Sequence, residues 1–232
     1  MAAGPKGHEE RRNGIDDRTW TSFERWCGDL DIVLGPDCRP QLDAYRELLL
    51  EWNARVNLTA IRAPREILIK HFLDSLTVLK HLPPTGGLLD IGTGGGFPGL
   101  VLKIARPSLP VSLVEARGRK VAFLEEVRRR LGLTGCTILH QHLGAADPAL
   151  SGQFSAVVSR AFRNPGEFLQ LSRGFLSPGG CSIAMLGPGG AVGAGADSLA
   201  VEAGGSLRAL ERLNLPEGAG EHRILVVSWP VA

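Results

Sequence analysis

Cysteine is scarce in this chain and ill-placed for chemistry. The four cysteines, Cys27, Cys38, Cys136 and Cys181, make no Cys-x-x-Cys pair and no His/Cys cluster at zinc spacing, which argues against a structural zinc and predicts no metal. Cys136 and Cys181 open apolar runs and read as small core residues in a reducing compartment. An excess of one charge is nearly missing too: 26 basic against 24 acidic residues leave +2, so no global field demands a nucleic acid or a membrane. Residues Met1 to Asp17 mix charges with glycines and hold no signal-peptide core. The one long uncharged stretch, Gly174 to Ala196, carries eight glycines and two prolines, too many for a membrane-spanning helix. The expectation is a cytoplasmic monomer with no membrane partner.

What is present is ordinary apart from glycine. With 44% hydrophobic and 22% charged residues, the composition excludes wholesale disorder and coiled coil. A chain of 232 residues buries roughly 70–75% of its unfolded surface and folds without disulfides. Its 30 glycines stand well above the usual ~7%.

The pattern divides the chain in three: a disordered tail over 1–17, a helical cap over 18–84, and an α/β domain over 85–232. Leu42, Tyr45, Leu48, Leu49, Trp52 and Val56 recur at three- and four-residue steps, the stripe of one helix, with Asp37 as its start signal. A second amphipathic piece runs through Ile67, Phe72, Leu76 and Leu79 and stops before Pro83. Beyond Pro84, short apolar runs alternate with helical ones. The strands are predicted at Leu88–Ile91, Val111–Glu115, Cys136–His140, Phe154–Ser159 and Cys181–Leu186, with helices over 99–105, 118–131 and 165–176. That alternation predicts βαβ units and a parallel sheet. Leu207–Leu213 and Arg223–Ser228 read as a closing antiparallel hairpin, and 187–205 as a loop or a poorly specified helix.

The strongest local signal is Asp90-Ile91-Gly92-Thr93-Gly94-Gly95-Gly96-Phe97-Pro98-Gly99, directly after an apolar run. Glycines there let the backbone turn sharply and meet a ligand closely. Amides at the following helix start favour a carboxylate or phosphate, and Glu115, ending the next strand, suits a pair of ribose hydroxyls. Two ligands fit. Gly94-x-Gly96-x-x-Gly99 satisfies the dinucleotide fingerprint, whereas Asp90 beside the turn favours the cationic sulfonium of S-adenosyl-L-methionine.

Further fragments stand in order around this loop: Trp52-Asn53 with Asn57-Leu58-Thr59-Ala60-Ile61, His71 with Asp74-Ser75-Leu76, Arg119-Lys120-Val121 with Phe123-Leu124, and Ser159-Arg160-Ala161-Phe162. Together they resemble the bacterial small-subunit ribosomal RNA guanine-N7 methyltransferases (RsmG, formerly glucose-inhibited division protein B) across about 42–186. The resemblance implies a Rossmann-like class I S-adenosylmethionine-dependent methyltransferase sheet, mostly parallel, with an N-terminal helical cap. It implies S-adenosyl-L-methionine as donor and one guanine N7 of 16S ribosomal RNA as acceptor, free or in a partly assembled subunit. It places Gly92, Gly94, Gly96 and Phe97 at the methionine and adenosine sites and Glu115 on the ribose. Ala116 and Arg117 then flank the adenine, Leu143 and Gly144 meet its edge, and Arg160 is the positioning candidate. A weakened cofactor- and RNA-binding homologue is the alternative, and a nucleotide-dependent oxidoreductase the distant one.

For RNA, the candidates are Arg55, Arg62, Arg65, Lys70, Arg160 and Arg163, with Phe97 and Phe162 as stacking platforms or core residues. Arg128, Arg129 and Arg130 follow Glu125 and Glu126 at helical spacing and read instead as an ion-paired face. His71 and Asp74 share one helical face and read equally as a polar pair locking the cap. Two positions depart from the family: Leu186 stands where members carry lysine, and His142 where they carry arginine.

Overall fold

Apolar runs buried on both sides belong inside a parallel sheet covered by helices, and the short runs after Pro84 lie there. The computed structural model describes residues 15–143, 147–160, 162, 164–187 and 195–230. Strands β1 (Gly87–Ile91), β2 (Val111–Glu115), β3 (Cys136–His140), β4 (Phe154–Ser159), β5 (Leu176–Leu186), β6 (Ser206–Leu215) and β7 (Gly220–Ser228) form one sheet. Its order is β3-β2-β1-β4-β5-β7-β6. The first five strands pair in parallel, and β7 pairs antiparallel with both β5 and β6. Strand order reverses between β1 and β4, which opens a crevice at their carboxyl ends.

The strands divide their side chains by the period of two. Ile224 and Val226 join one core cluster while Leu225 and Val227 join the other. The first cluster also takes in Trp20, Phe23, Leu42, Tyr45 and Phe72, so the N-terminal helices pack directly on the sheet. These are α1 (Asp17–Asp29), α2 (Cys38–Val56) and a run from α3 (Pro64–Ile67) through a π-helical segment (Leu68–Leu73) into α4 (Asp74–Leu76), ending in a tight turn at Thr77–His81. Helices α5 (Gly99–Ala105) and α6 (Gly118–Arg130) lie on the same side; α7 (Pro165–Arg173) and α8 (Ala196–Glu202) cover the other.

Several boundaries differ from expectation. Helix α1 begins at Asp17, inside the segment assigned to a tail, because the Asp16 carboxylate caps it by accepting from Thr19 N at 2.8 Å. Asp37 does precede α2, but it makes no side-chain cap. The helix expected to reach residue 176 stops at Arg173: Leu176 already pairs with Phe154, and an irregularity follows before Cys181 resumes the ladder opposite Ala156. Within the low-complexity stretch, α8 is a real helix whose Ala196 and Ala200 are buried.

Candidate functional site

The glycine turn leaves β1 at the point of strand reversal. Gly92 and Gly94 have φ of +71° and +62°, a region that glycine enters without cost. A Cβ on Gly92 would meet nothing within 4 Å. Gly96 is different: a Cβ there would lie 2.4 Å from Leu100 Cδ1 and 2.6 Å from the Tyr45 hydroxyl. Leu100 and Tyr45 therefore close this position to any side chain. Gly99 is equally closed, with Leu113 Cδ2 at 2.3 Å from its Cβ position.

Most amides of the turn are engaged within the protein. Gly92 and Thr93 N–H donate to the Val114 carbonyl, and Gly96 and Phe97 N–H to that of Thr93. Gly94 N–H donates to Glu115 Oε2 at 3.0 Å, and Gly99 N–H to Asp90 Oδ2 at 2.8 Å. These donors already have protein partners. Asp90 therefore does not face a sulfonium. It is fully buried, holds Gly99 and the Thr93 hydroxyl on one oxygen, and leaves Oδ1 without a hydrogen bond among the described residues. Burial pushes its pKa up to about 7 against those two hydrogen bonds.

Glu115, at the end of β2, does face the turn: one oxygen accepts from Gly94, the other from Arg117 N–H at 2.8 Å. Ala116 and Arg117 follow it, both exposed, and the Ala116 carbonyl lies 3.2 Å from His140 Nε2 at the end of β3. Leu143 is half-buried against the second core cluster; Gly144 lies outside the described residues.

Phe97 carries the turn into the interior. Its ring stacks on His71 at 4.4 Å and on Tyr45 at 5.5 Å, with the Arg160 guanidinium 4.9 Å from its centre. It is 3% exposed, so it is a core ring and not a surface for a base. Arg160, immediately after β4, donates to the Lys70 carbonyl at 3.2 Å, lies 3.2 Å from His71 Nδ1 and pairs with Asp74 Oδ2 at 3.5 Å. Since guanidinium only donates, Nδ1 must be the acceptor. Nε2 then carries the proton and donates to the Thr59 hydroxyl at 2.7 Å. Burial, then the Arg160 charge, push the His71 pKa down to about 3, which keeps the ring neutral. His222 from β7 adds Nδ1 at 3.1 Å from Asp74 Oδ1. His71 and Asp74 thus lock cap to sheet through Arg160, and with Ile61, Lys70, Leu186 and His222 they border a cavity of about 230 Å³.

The model of one protein family, rRNA small subunit methyltransferase G (GidB), matches residues 39–191. The chain belongs to that family. The ribosomal RNA small subunit methyltransferase G of Myxococcus xanthus is 44% identical over 163 residues, covering 69% of this chain and 75% of that protein. The protein of the same name from a Geobacter species is 37% identical over 207 residues, covering 88% and 94%. Among solved structures, a Burkholderia thailandensis 1,6-didemethyltoxoflavin-N1-methyltransferase aligns over 94% of this chain and 92% of its own. The TM-score is 0.56 at 12% identity, a likeness of fold. An Aquifex aeolicus SAM-dependent methyltransferase aligns with a TM-score of 0.53 and 17% identity, over 68% and 90% of the two chains.

In this member of the methyltransferase G family, the basic residues expected at RNA separate into two groups. Arg55 and Arg62 are exposed. Arg65 instead grips both oxygens of Glu217 and lies over the Trp26 ring at 5.2 Å, tying the hairpin turn to the cap. Lys70 pairs with Glu66 at 2.6 Å. Arg128, Arg129 and Arg130 pair with Glu125 and Glu126 as their spacing predicts. Phe162 packs on Phe168 at 5.5 Å, and Arg163 lies outside the described residues. Of the two departures, Leu186 is buried in the second core cluster and His142 is exposed. Among the described residues no group of His, Cys, Asp and Glu is arranged for a metal, and no helix is long and apolar enough to cross a membrane.

Two contributors had no sequence signal of their own role. Tyr45 reads as one more residue of an apolar stripe, yet its hydroxyl donates to the Gly95 carbonyl. His222 lies far along the chain and reaches Asp74 only because β7 pairs beside β5.

Proposed function

We propose that this protein transfers the methyl group of S-adenosyl-L-methionine to N7 of one guanine in 16S ribosomal RNA. Relatives named for small-subunit ribosomal RNA methylation support the substrate class. The observation that carries the reading is the Glu115 carboxylate at the end of β2, which accepts from Gly94 N–H in the glycine turn, where Gly92 faces open space. This is the carboxyl edge beside the strand reversal, where open α/β sheets take nucleotides and an acidic side chain suits ribose hydroxyls. The bound cofactor supplies an electrophilic methyl group.

Guanine N7 carries a lone pair and no proton, so its attack needs no general base. The residues then have to position two reactants and exclude water. That fits side chains whose protons are committed to structure: Asp90 inside the turn and His71 held neutral. Arg160 positions the Phe97 end of the loop, and Arg55 and Arg62 meet RNA phosphate. The protein works in the cytoplasm as a monomer, on a partly assembled subunit, because so small a net charge gives naked RNA few phosphate contacts. The test is borohydride reduction and aniline cleavage of 16S RNA from cells with and without the gene, followed by methylation of that RNA by the purified protein. Loss of one N7-methylguanine in the deletion strain and its restoration in vitro is expected. An unchanged cleavage pattern refutes the reading.

A further inference from the structure

We infer that Asp74 selects the target base: its carboxylate accepts from the N1–H and exocyclic amine of the guanine whose N7 is methylated. The inference rests on the reading that this protein methylates guanine N7, and it names the residue that recognises the base.

The cavity that Asp74 borders lies where an acceptor has to enter. On the far side of the strand reversal from Glu115, Arg160 follows β4 and Leu186 ends β5. His222 stands beside them because Arg223 pairs with Leu186. These residues and Asp74 border about 230 Å³ at the carboxyl edge of the sheet, with Ile61 and Met185 adding apolar wall for the faces of a flat base. Phe97 joins this cavity to the glycine turn, its ring 4.4 Å from that of His71 and 4.9 Å from the Arg160 guanidinium.

The polar side of the cavity lacks a donor. The Asp74 side chain is 2% exposed, and its Oδ2 has no hydrogen bond among the described residues. Arg160 Nη1 comes no nearer than 3.5 Å, since it is held at 3.2 Å from both the Lys70 carbonyl and His71 Nδ1. His222 Nδ1 lies at 3.1 Å from the other oxygen. A buried acceptor without a donor costs free energy and calls for an explanation. The complement is a base with N–H groups on its Watson–Crick edge, the edge by which unpaired RNA bases are read. Guanine offers N1–H and an amine there; adenine offers a bare N1.

The reaction strengthens the same contact. As the N7 lone pair forms its bond to the methyl carbon, the carbon–sulfur bond breaks and its electrons stay on sulfur, leaving a neutral thioether. The positive charge passes to the purine and no proton is transferred. N1–H becomes a stronger donor, so a facing carboxylate holds the transition state more tightly than the substrate.

The test uses 16S RNA joined by splinted ligation, with guanine or inosine at the methylated position; inosine lacks only the exocyclic amine. Single-turnover methylation is measured for the full-length protein and Asp74→Ala, with thermal melting and S-adenosylhomocysteine calorimetry as checks on folding and cofactor binding. The unsubstituted protein should methylate inosine about tenfold to a hundredfold more slowly, the range of a charged hydrogen bond. Asp74→Ala should be slow on both RNAs and prefer guanine by less than about threefold, with cofactor affinity within about twofold. If Asp74→Ala does not fold, the near-isosteric Asp74→Asn takes its place, and the preference should still shrink. Equal rates on the two RNAs for the unsubstituted protein, or a guanine preference unchanged by the substitution, overturn the inference while leaving the N7 reading intact. No methylation of the guanine RNA by the unsubstituted protein overturns that reading, and this inference with it.

Discussion

The Tyr45 hydroxyl donates to the Gly95 carbonyl and stands 2.6 Å from the Cβ position of Gly96. One atom of the N-terminal helices therefore both holds the glycine turn and forbids a side chain within it. Tyr45→Phe leaves a buried carbonyl without its donor and should cost about 1–3 kcal/mol. Gly96→Ala adds a carbon between Tyr45 and Leu100 at a φ of +95° and should cost at least as much. Urea denaturation measures both. A stable Gly96→Ala protein would show that the turn is not clamped.

Arg160 is a hub before it is a cleft residue. Removing it takes a donor from the Lys70 carbonyl and the nearby charge from Asp74, whose side chain is 2% exposed. Arg160→Ala should therefore lower stability by about 1.5–3 kcal/mol as well as methyl transfer. Adding Asp74→Asn should return part of the stability, because the buried charge is gone. An unchanged denaturation midpoint for Arg160→Ala would contradict the hub.

Asp90 gives a pH dependence of definite sign. Its folded pKa, about 7, lies above the ordinary carboxylate value of 3.8. The folded state therefore holds the proton more tightly, and this stabilisation is present at acid pH and is lost as pH rises through about 7. Asp90→Asn removes that dependence. Its stability relative to the unsubstituted protein should improve between about pH 5 and about pH 8, by on the order of a few kcal/mol. Parallel stability–pH curves for the two proteins would refute the assignment.

His71 acts in the opposite sense. Its folded pKa, about 3, lies below the ordinary 6.5, so its contribution is complete above the ordinary value and is lost as pH falls toward 3. His71→Gln should flatten the acid limb of the stability curve, read by circular dichroism between about pH 4 and about pH 7.

Gly94→Asp should abolish binding of S-adenosylhomocysteine. Aspartate accepts the +62° φ better than most residues, so the fold should survive. The added carboxylate would occupy the open side of the turn and pair with Lys120, 3.7 Å from the Cβ position. Isothermal calorimetry on the folded variant checks this, and retained affinity would move the cofactor away from Gly94.

Much of this was written in local pattern. Period-two and helical runs located β1 to β4, α5 and α6 closely, because each run buries its own apolar residues wherever its neighbours lie. The order Gly92-Thr93-Gly94 before an acidic strand end marked the turn, since glycine enters those backbone angles most readily. The Glu125, Glu126 and arginine spacing on α6 was likewise readable, because partners one turn apart meet in any helix. Contacts between distant segments were not. Nothing within a few residues of Phe97 says that His71, Tyr45 and Arg160 will enclose it, nor does anything near Arg65 point to Glu217, 152 residues away. Whether a glycine faces a ligand or a tyrosine, and whether an arginine is free for RNA or committed to an ion pair, depends on what packs against it. Those choices belong to the assembled tertiary structure, in which hydrogen bonds and close contacts form between residues that local periodicity cannot relate.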